Sequence, residues 1–100
     1  MEKIVITPNE ETVDLLPGYI DRRRIELAVV EKALAAHDFA GLATIGHNVK
    51  GTAGSYGISG LGEFAEQLYT AAVNKNHEAC RLAFEGYREY LARVEVGEMA

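Results

Sequence analysis

The sequence holds one cysteine, Cys80, no tryptophan and only two prolines. A single thiol excludes an internal disulfide and any cysteine-built metal site. Basic residues are also in deficit: Lys and Arg number 10 against 15 Asp and Glu, a net charge of −5. A chain of that sign lacks the cationic stripe that offsets phosphates, which argues against general nucleic-acid binding. No apolar run reaches the length needed to span a bilayer, so no membrane partner is expected. The start, Met1-Glu2-Lys3-Ile4-Val5-Ile6, has no basic leader ahead of a long apolar stretch. No signal peptide is therefore expected, and the cytoplasm is the expected compartment. Internal repeats, low-complexity tracts and interdomain linkers are not visible. With 100 residues, 48% of them hydrophobic and 25% charged, the chain should form one small ordered domain of marginal stability.

What is present reads as helices. Residues 1–13 form an arm in which Ile4-Val5-Ile6 is extended, and Pro8-Asn9-Glu10 ends it. A lone strand is marginal, and no later segment offers an evident β partner. A first helix is expected from about Asp14 as cap, with Pro17 in its first turn and a stripe of Ile20, Leu27, Val30 and Leu34. His37 then falls in the last turn, where a cation suits the helix dipole. Asp38 is a good cap for a second helix carrying Leu42, Ile45, Val49 and Tyr56. Ser59 is expected to cap a third, with Leu61, Phe64, Ala65, Leu68, Ala71 and Ala72 inward. After the turn Asn74-Lys75-Asn76, a fourth carries Cys80, Phe84, Tyr87, Leu91 and Val94 and ends near Gly97. Four amphipathic segments with short turns predict an all-α, up-and-down antiparallel four-helix bundle over residues 14–97, behind a short extended N-terminal arm. The core is expected to include Ile45, Val49, Leu61, Phe64, Leu68, Phe84, Tyr87 and Leu91. The four stripes can satisfy one another within one chain, which predicts a monomer.

The second helix carries an anomaly. Seven of the ten glycines lie between residues 41 and 62, and Gly41, Gly46, Gly51 and Gly54 fall inside the predicted helix. Each costs about 0.5–1 kcal/mol relative to alanine, a large total for a small domain. Taking His47 as the origin of a helical wheel, Ala43, Lys50, Gly51 and Gly54 fall within about 60° of it, and Ile45, Val49, Thr52 and Tyr56 lie opposite. The outer face is thus one imidazole and one cation with almost no bulk around them, which suits a close-fitting partner. A neutral imidazole is a nucleophile near pH 7. If it took a phosphoryl group, Lys50 one turn on could offset the charge, and Gly51 would leave room. The sequence offers no nucleotide loop, dedicated base, metal ligands or cofactor site, so the partner would supply any magnesium.

The run His47-Asn48-Val49-Lys50-Gly51-Thr52-Ala53-Gly54-Ser55-Tyr56-Gly57 resembles the signature of histidine phosphotransfer (HPt) domains. Leu16-Pro17-Gly18-Tyr19-Ile20 with Arg22-Arg23-Arg24, and Ala33-Leu34 with His37-Asp38-Phe39, are similar to flanking segments of small free-standing bacterial HPt proteins. The resemblance covers about residues 12–94. It implies a phosphorelay intermediate, not a kinase. His47 would be the phosphoryl acceptor from a receiver-domain aspartate, Lys50 its charge partner and Gly51 the space-maker. Implied partners are response-regulator receivers and a hybrid histidine kinase. Ala43, Gly46, Gly51, Gly54 and Tyr69 are expected to line the docking face. Many members carry Gln or Glu at the position of Tyr69, whose hydroxyl is here expected to reach toward His47. An HPt-like module that docks receivers or kinases without being phosphorylated is the other reading of the same face. His37 and His77 read as helix-end residues, Cys80 as core filler, and Arg22-Arg23-Arg24 as a solvated or docking patch.

Overall fold

The computed structural model describes residues 2–99. In chain order it has β1 (Ile4–Ile6), α1 (Leu16–Ala35), α2 (Phe39–Ser55), α3 (Ser59–Val73), α4 (His77–Arg93) and β2 (Val94–Val96). Helix α2 packs most extensively on α3, α3 on α4, and α1 lies more sparsely against α2 and α4. This is the expected all-α four-helix bundle.

One device makes all three helix connections. Each of the first three helices ends in a Schellman turn, whose second exit residue is already the N-cap of the next helix. After α1, His37 N donates to Leu34 O at 3.1 Å and Asp38 N to Ala33 O at 2.9 Å. Gly57 and Ile58 repeat the pattern on Gly54 and Ala53, as do Lys75 and Asn76 on Ala72 and Ala71. The left-handed residue is Gly57 (φ 74°) in the second turn, but His37 and Lys75 (both φ 54°) in the others. His37 therefore stands beyond α1 rather than in its last turn. Asp38 caps α2 as expected, accepting from Gly41 N at 2.9 Å, and Asn76 caps α4 through Ala79 N at 3.1 Å. Ser59 does not cap α3: Ile58 holds that position, fully buried and with no side-chain cap bond, because it also closes the α2 turn. Asp14 does not cap α1 either. That helix starts at Leu16 behind Leu15, after a turn in which Asn9 Oδ1 accepts from Glu11 N and Thr12 N.

The arm has a β partner after all. Strand β1 pairs in parallel with β2, in register Ile4 with Val94, Val5 with Glu95 and Ile6 with Val96. Helix α4 consequently stops at Arg93 instead of running to Gly97. Arg24 closes this end, donating from Nε to Leu91 O at 2.9 Å and from Nη2 to Val94 O at 2.8 Å. These are carbonyls that the helix terminus leaves without intrahelical partners.

Of the expected core, Val49, Leu61, Leu68, Phe84, Tyr87 and Leu91 are buried, whereas Ile45 and Phe64 are only half-buried. Phe64 lies over Gly86, where any β-carbon would collide with its ring, and tilts against Tyr90 at 6.4 Å between centroids. Ile45 is displaced by the rotation of α2. Its buried residues Leu42, Gly46, Val49 and Ala53 lie about 200–260° from His47, so the core axis is turned about 50° toward Gly46 from the direction the apolar stripe suggests.

Two predictions follow from these elements. Lys75→Gly relieves a left-handed backbone and should raise stability by about 0.5–1 kcal/mol, read as a higher urea midpoint at unchanged m-value. Tyr87 is 1% exposed and its hydroxyl has no hydrogen-bond partner among the described residues. Burial first, then the charge of Glu26, pushes this phenol well above its ordinary range. A raised folded pKa means the stabilisation is complete below the unfolded phenol range, about pH 10, and is lost as pH rises beyond it. Tyr87→Phe should fold at least as well at pH 7 and decline less steeply in alkali, as thermal melts across that range would show.

Candidate functional site

Helix α2 is pinned at both ends, by the Asp38 cap and by the Gly57 turn, so residues near its middle are held rigidly. Gly41 is needed at the start, because a β-carbon there would run into the Asp38 carboxylate that caps the helix. His47 stands at mid-helix, exposed. It forms one wall of a shallow hollow of about 310 Å³ shared with Ala43, Thr44, Asn48 and Tyr69.

Gly46 is not on this open face. It is buried, and a β-carbon on it would sit 2.7 Å from Ala65 O and 2.8 Å from Tyr69 N. Its role is to let the backbones of α2 and α3 touch, and this contact brings Tyr69 beside His47. The Tyr69 ring lies 5.8 Å from the imidazole, tilted by 46°, so the contact is ring to ring. Gly51 and Gly54 are open: a β-carbon at either meets nothing within 4 Å. Ala43 is half-buried at the edge of the hollow.

Lys50 lies about 60° from His47, on the side toward α3. Its Nζ donates to Glu66 Oε1 at 2.9 Å across the helix interface, with both side chains half-exposed. Sequence reasoning missed Glu66. The signal was available, because Glu66 and Tyr69 are three residues apart on α3 and share its face. The nearby hydroxyls are self-satisfied: Thr44, Thr52 and Ser55 donate to Ala40 O, Asn48 O and Gly51 O, each one turn back. On the side facing α1, the Tyr19 hydroxyl meets Thr52 Oγ1 at 2.7 Å and its ring packs on Tyr56 at 4.6 Å.

The other candidates separate from this site. His37, in the turn after α1, and His77, the first residue of α4, stack on each other at 3.9 Å at one end of the bundle. The arginine run divides: Arg24 caps α4, Arg23 lies over the Tyr19 ring at 5.0 Å, and Arg22 has no ion-pair partner among the described residues. Cys80 is buried, and burial pushes its thiol up, away from the reactive thiolate. Among the described residues, no three His, Cys, Asp or Glu side chains come together as a metal site.

A four-helix bundle with an open mid-helix histidine, a lysine three residues on and a bare glycine next is a specific combination, and the chain matches the Hpt domain family over residues 14–97. The chain belongs to the Hpt domain family. No curated protein and no solved structure matches it. Hpt domains are phosphorelay histidine phosphotransfer modules without kinase activity of their own, and they interact with receiver and kinase domains. The family match begins at Asp14, just ahead of α1, and no described helix of this Hpt domain is long and apolar enough to cross a membrane.

The two classes of glycine should respond oppositely to substitution. Gly46→Ala should lose about 1–3 kcal/mol, since backbone must move to admit the methyl group. Gly51→Ala should gain about 0.5–1 kcal/mol from helix propensity alone. Denaturant midpoints of the two variants read this directly, and equal effects would contradict the assignment of Gly46 to the interface.

Proposed function

We propose that His47 is the phosphoryl acceptor of this Hpt domain, taking the group from the phosphoaspartate of one response-regulator receiver and passing it to another. The observation that carries the reading is the open imidazole on a face where Gly51 and Gly54 leave bare backbone. The lone pair of the neutral ring attacks phosphorus. A nitrogen–phosphorus bond forms as the phosphorus–oxygen bond to the receiver aspartate breaks, and the carboxylate leaves with the electron pair. The imidazole keeps its other proton, so no base is needed in the forward step. The return step reverses these bonds on the second receiver.

Lys50 offsets the charge that arrives on His47, and Gly51 and Gly54 let the receiver surface approach closely. Ala43 and Tyr69 form the rim the receiver meets. A hybrid histidine kinase carrying its own receiver is the upstream partner this chemistry fits.

The test mixes purified phosphorylated receiver with wild type and variants and follows label on both proteins. His47→Gln should bind receiver and keep the wild-type circular dichroism spectrum, yet take no label. Lys50→Ala should transfer slowly but detectably. Gly51→Glu should fold well, because glutamate favours helix, and fail to transfer because it fills the approach path with bulk and negative charge. Receiver binding by wild type with no label would favour the non-phosphorylated docking module instead, and label from ATP alone would contradict a relay role.

A further inference from the structure

Helix α2 contains no Asp, Glu or Arg, and Lys50 is its only lysine. Helix α3 carries two charged residues, Glu63 and Glu66. Lys50 reaches across to Glu66 at 2.9 Å, and Glu66 in turn stands one turn before Tyr69, the ring that walls His47. The cation best placed to serve His47 is therefore already engaged by a carboxylate.

We propose that Glu66 is a positioning residue that competes for Lys50 and so keeps a phosphoryl group on His47 ready to leave. This rests on His47 being the acceptor. A phosphoryl group brings about two negative charges to His47. To stabilise them, the Lys50 ammonium must leave Glu66 or be shared with it. Either way part of the attraction is spent, and the phosphohistidine is less stable than a free lysine would make it. Both side chains are half-exposed, so the competition is between two solvated contacts and its size is that of one surface ion pair. A relay gains from such a brake. Full neutralisation of the phosphohistidine would turn a carrier into a store, whereas a lysine held in partial reserve keeps the forward and return transfers close in free energy.

The experiment measures the ratio of phosphohistidine to phosphoaspartate at equilibrium between this chain and one receiver. Glu66→Gln frees Lys50 and should raise the ratio about two- to fivefold, the worth of one exposed ion pair. The denaturation midpoint should stay at the wild-type value. In a Lys50→Ala background the same Glu66→Gln change should leave the ratio unmoved, because there is no ammonium left to compete for. A ratio unchanged or lowered by Glu66→Gln in the wild-type background would overturn the proposal while leaving His47 as acceptor. So would an equal rise in both backgrounds, which would show Glu66 acting on its own charge and not through Lys50. A wild-type chain that takes no label from the phosphorylated receiver would overturn the acceptor reading itself, and this proposal with it.

Discussion

The close approach of α2 to α3 at Gly46 sets the geometry of the whole site. A β-carbon there would lie inside the backbone of α3, 2.7 Å from Ala65 O, so only glycine lets the two helices meet at this depth. That contact fixes how α2 is turned about its axis. With Leu42, Gly46, Val49 and Ala53 inward, His47 must face out beside Tyr69, Lys50 must lean toward Glu66, and Gly51 and Gly54 must point at open space. The glycines of one helix thus have different physical justifications. Gly46 recovers its cost in helix packing, and Gly41 recovers it by making room for the Asp38 cap. Nothing in the fold repays Gly51 or Gly54, and each costs about 0.5–1 kcal/mol relative to alanine. The receiver docking proposed for that face would account for them.

The scaffold around this contact is built to hold still. Three identical turns close the helix ends, two of them with non-glycine residues forced left-handed. Arg24 of α1 ties down the end of α4, and the parallel β1–β2 pair joins the two ends of the chain beside it. Helix α1 has the sparsest packing, and it is held at specific points by Arg24 and by the Tyr19 contact with Thr52. Lys50 is the only lysine or arginine of α2, so it is the one cation that this helix brings to the His47 face.

Much of this was legible before the structure. Helical period alone placed His47, Lys50, Gly51 and Gly54 on one face, and the caps at Asp38 and the turn at Asn74-Lys75-Asn76 followed from residue chemistry. The rotation of α2 was not legible, because an apolar stripe gives weight to Ile45 and Tyr56 and none to Gly46. A glycine that packs backbone on backbone leaves no hydrophobic signal, so the axis read from the stripe is off by about 50° and puts Ile45 in the deep core, while nothing in the stripe opposes the placement of Gly46 on the docking face that the family resemblance implies. The β pair was hidden for another reason. Val94-Glu95-Val96 continues the apolar spacing of α4, and its partner lies at the far end of the chain, a contact no local pattern reports. Ser59 misled because Ile58 serves two turns at once, closing α2 and opening α3.

The most direct test of the account is to locate the phosphoryl group. The chain is incubated with a phosphorylated receiver, digested at alkaline pH to preserve phosphohistidine, and its peptides are sequenced by mass spectrometry. The account predicts the added phosphoryl mass on His47 and on neither His37 nor His77, whose rings are stacked together at the end of the bundle. Phosphorylation at either of those residues, or a receiver that binds and keeps its phosphoryl group, would contradict it.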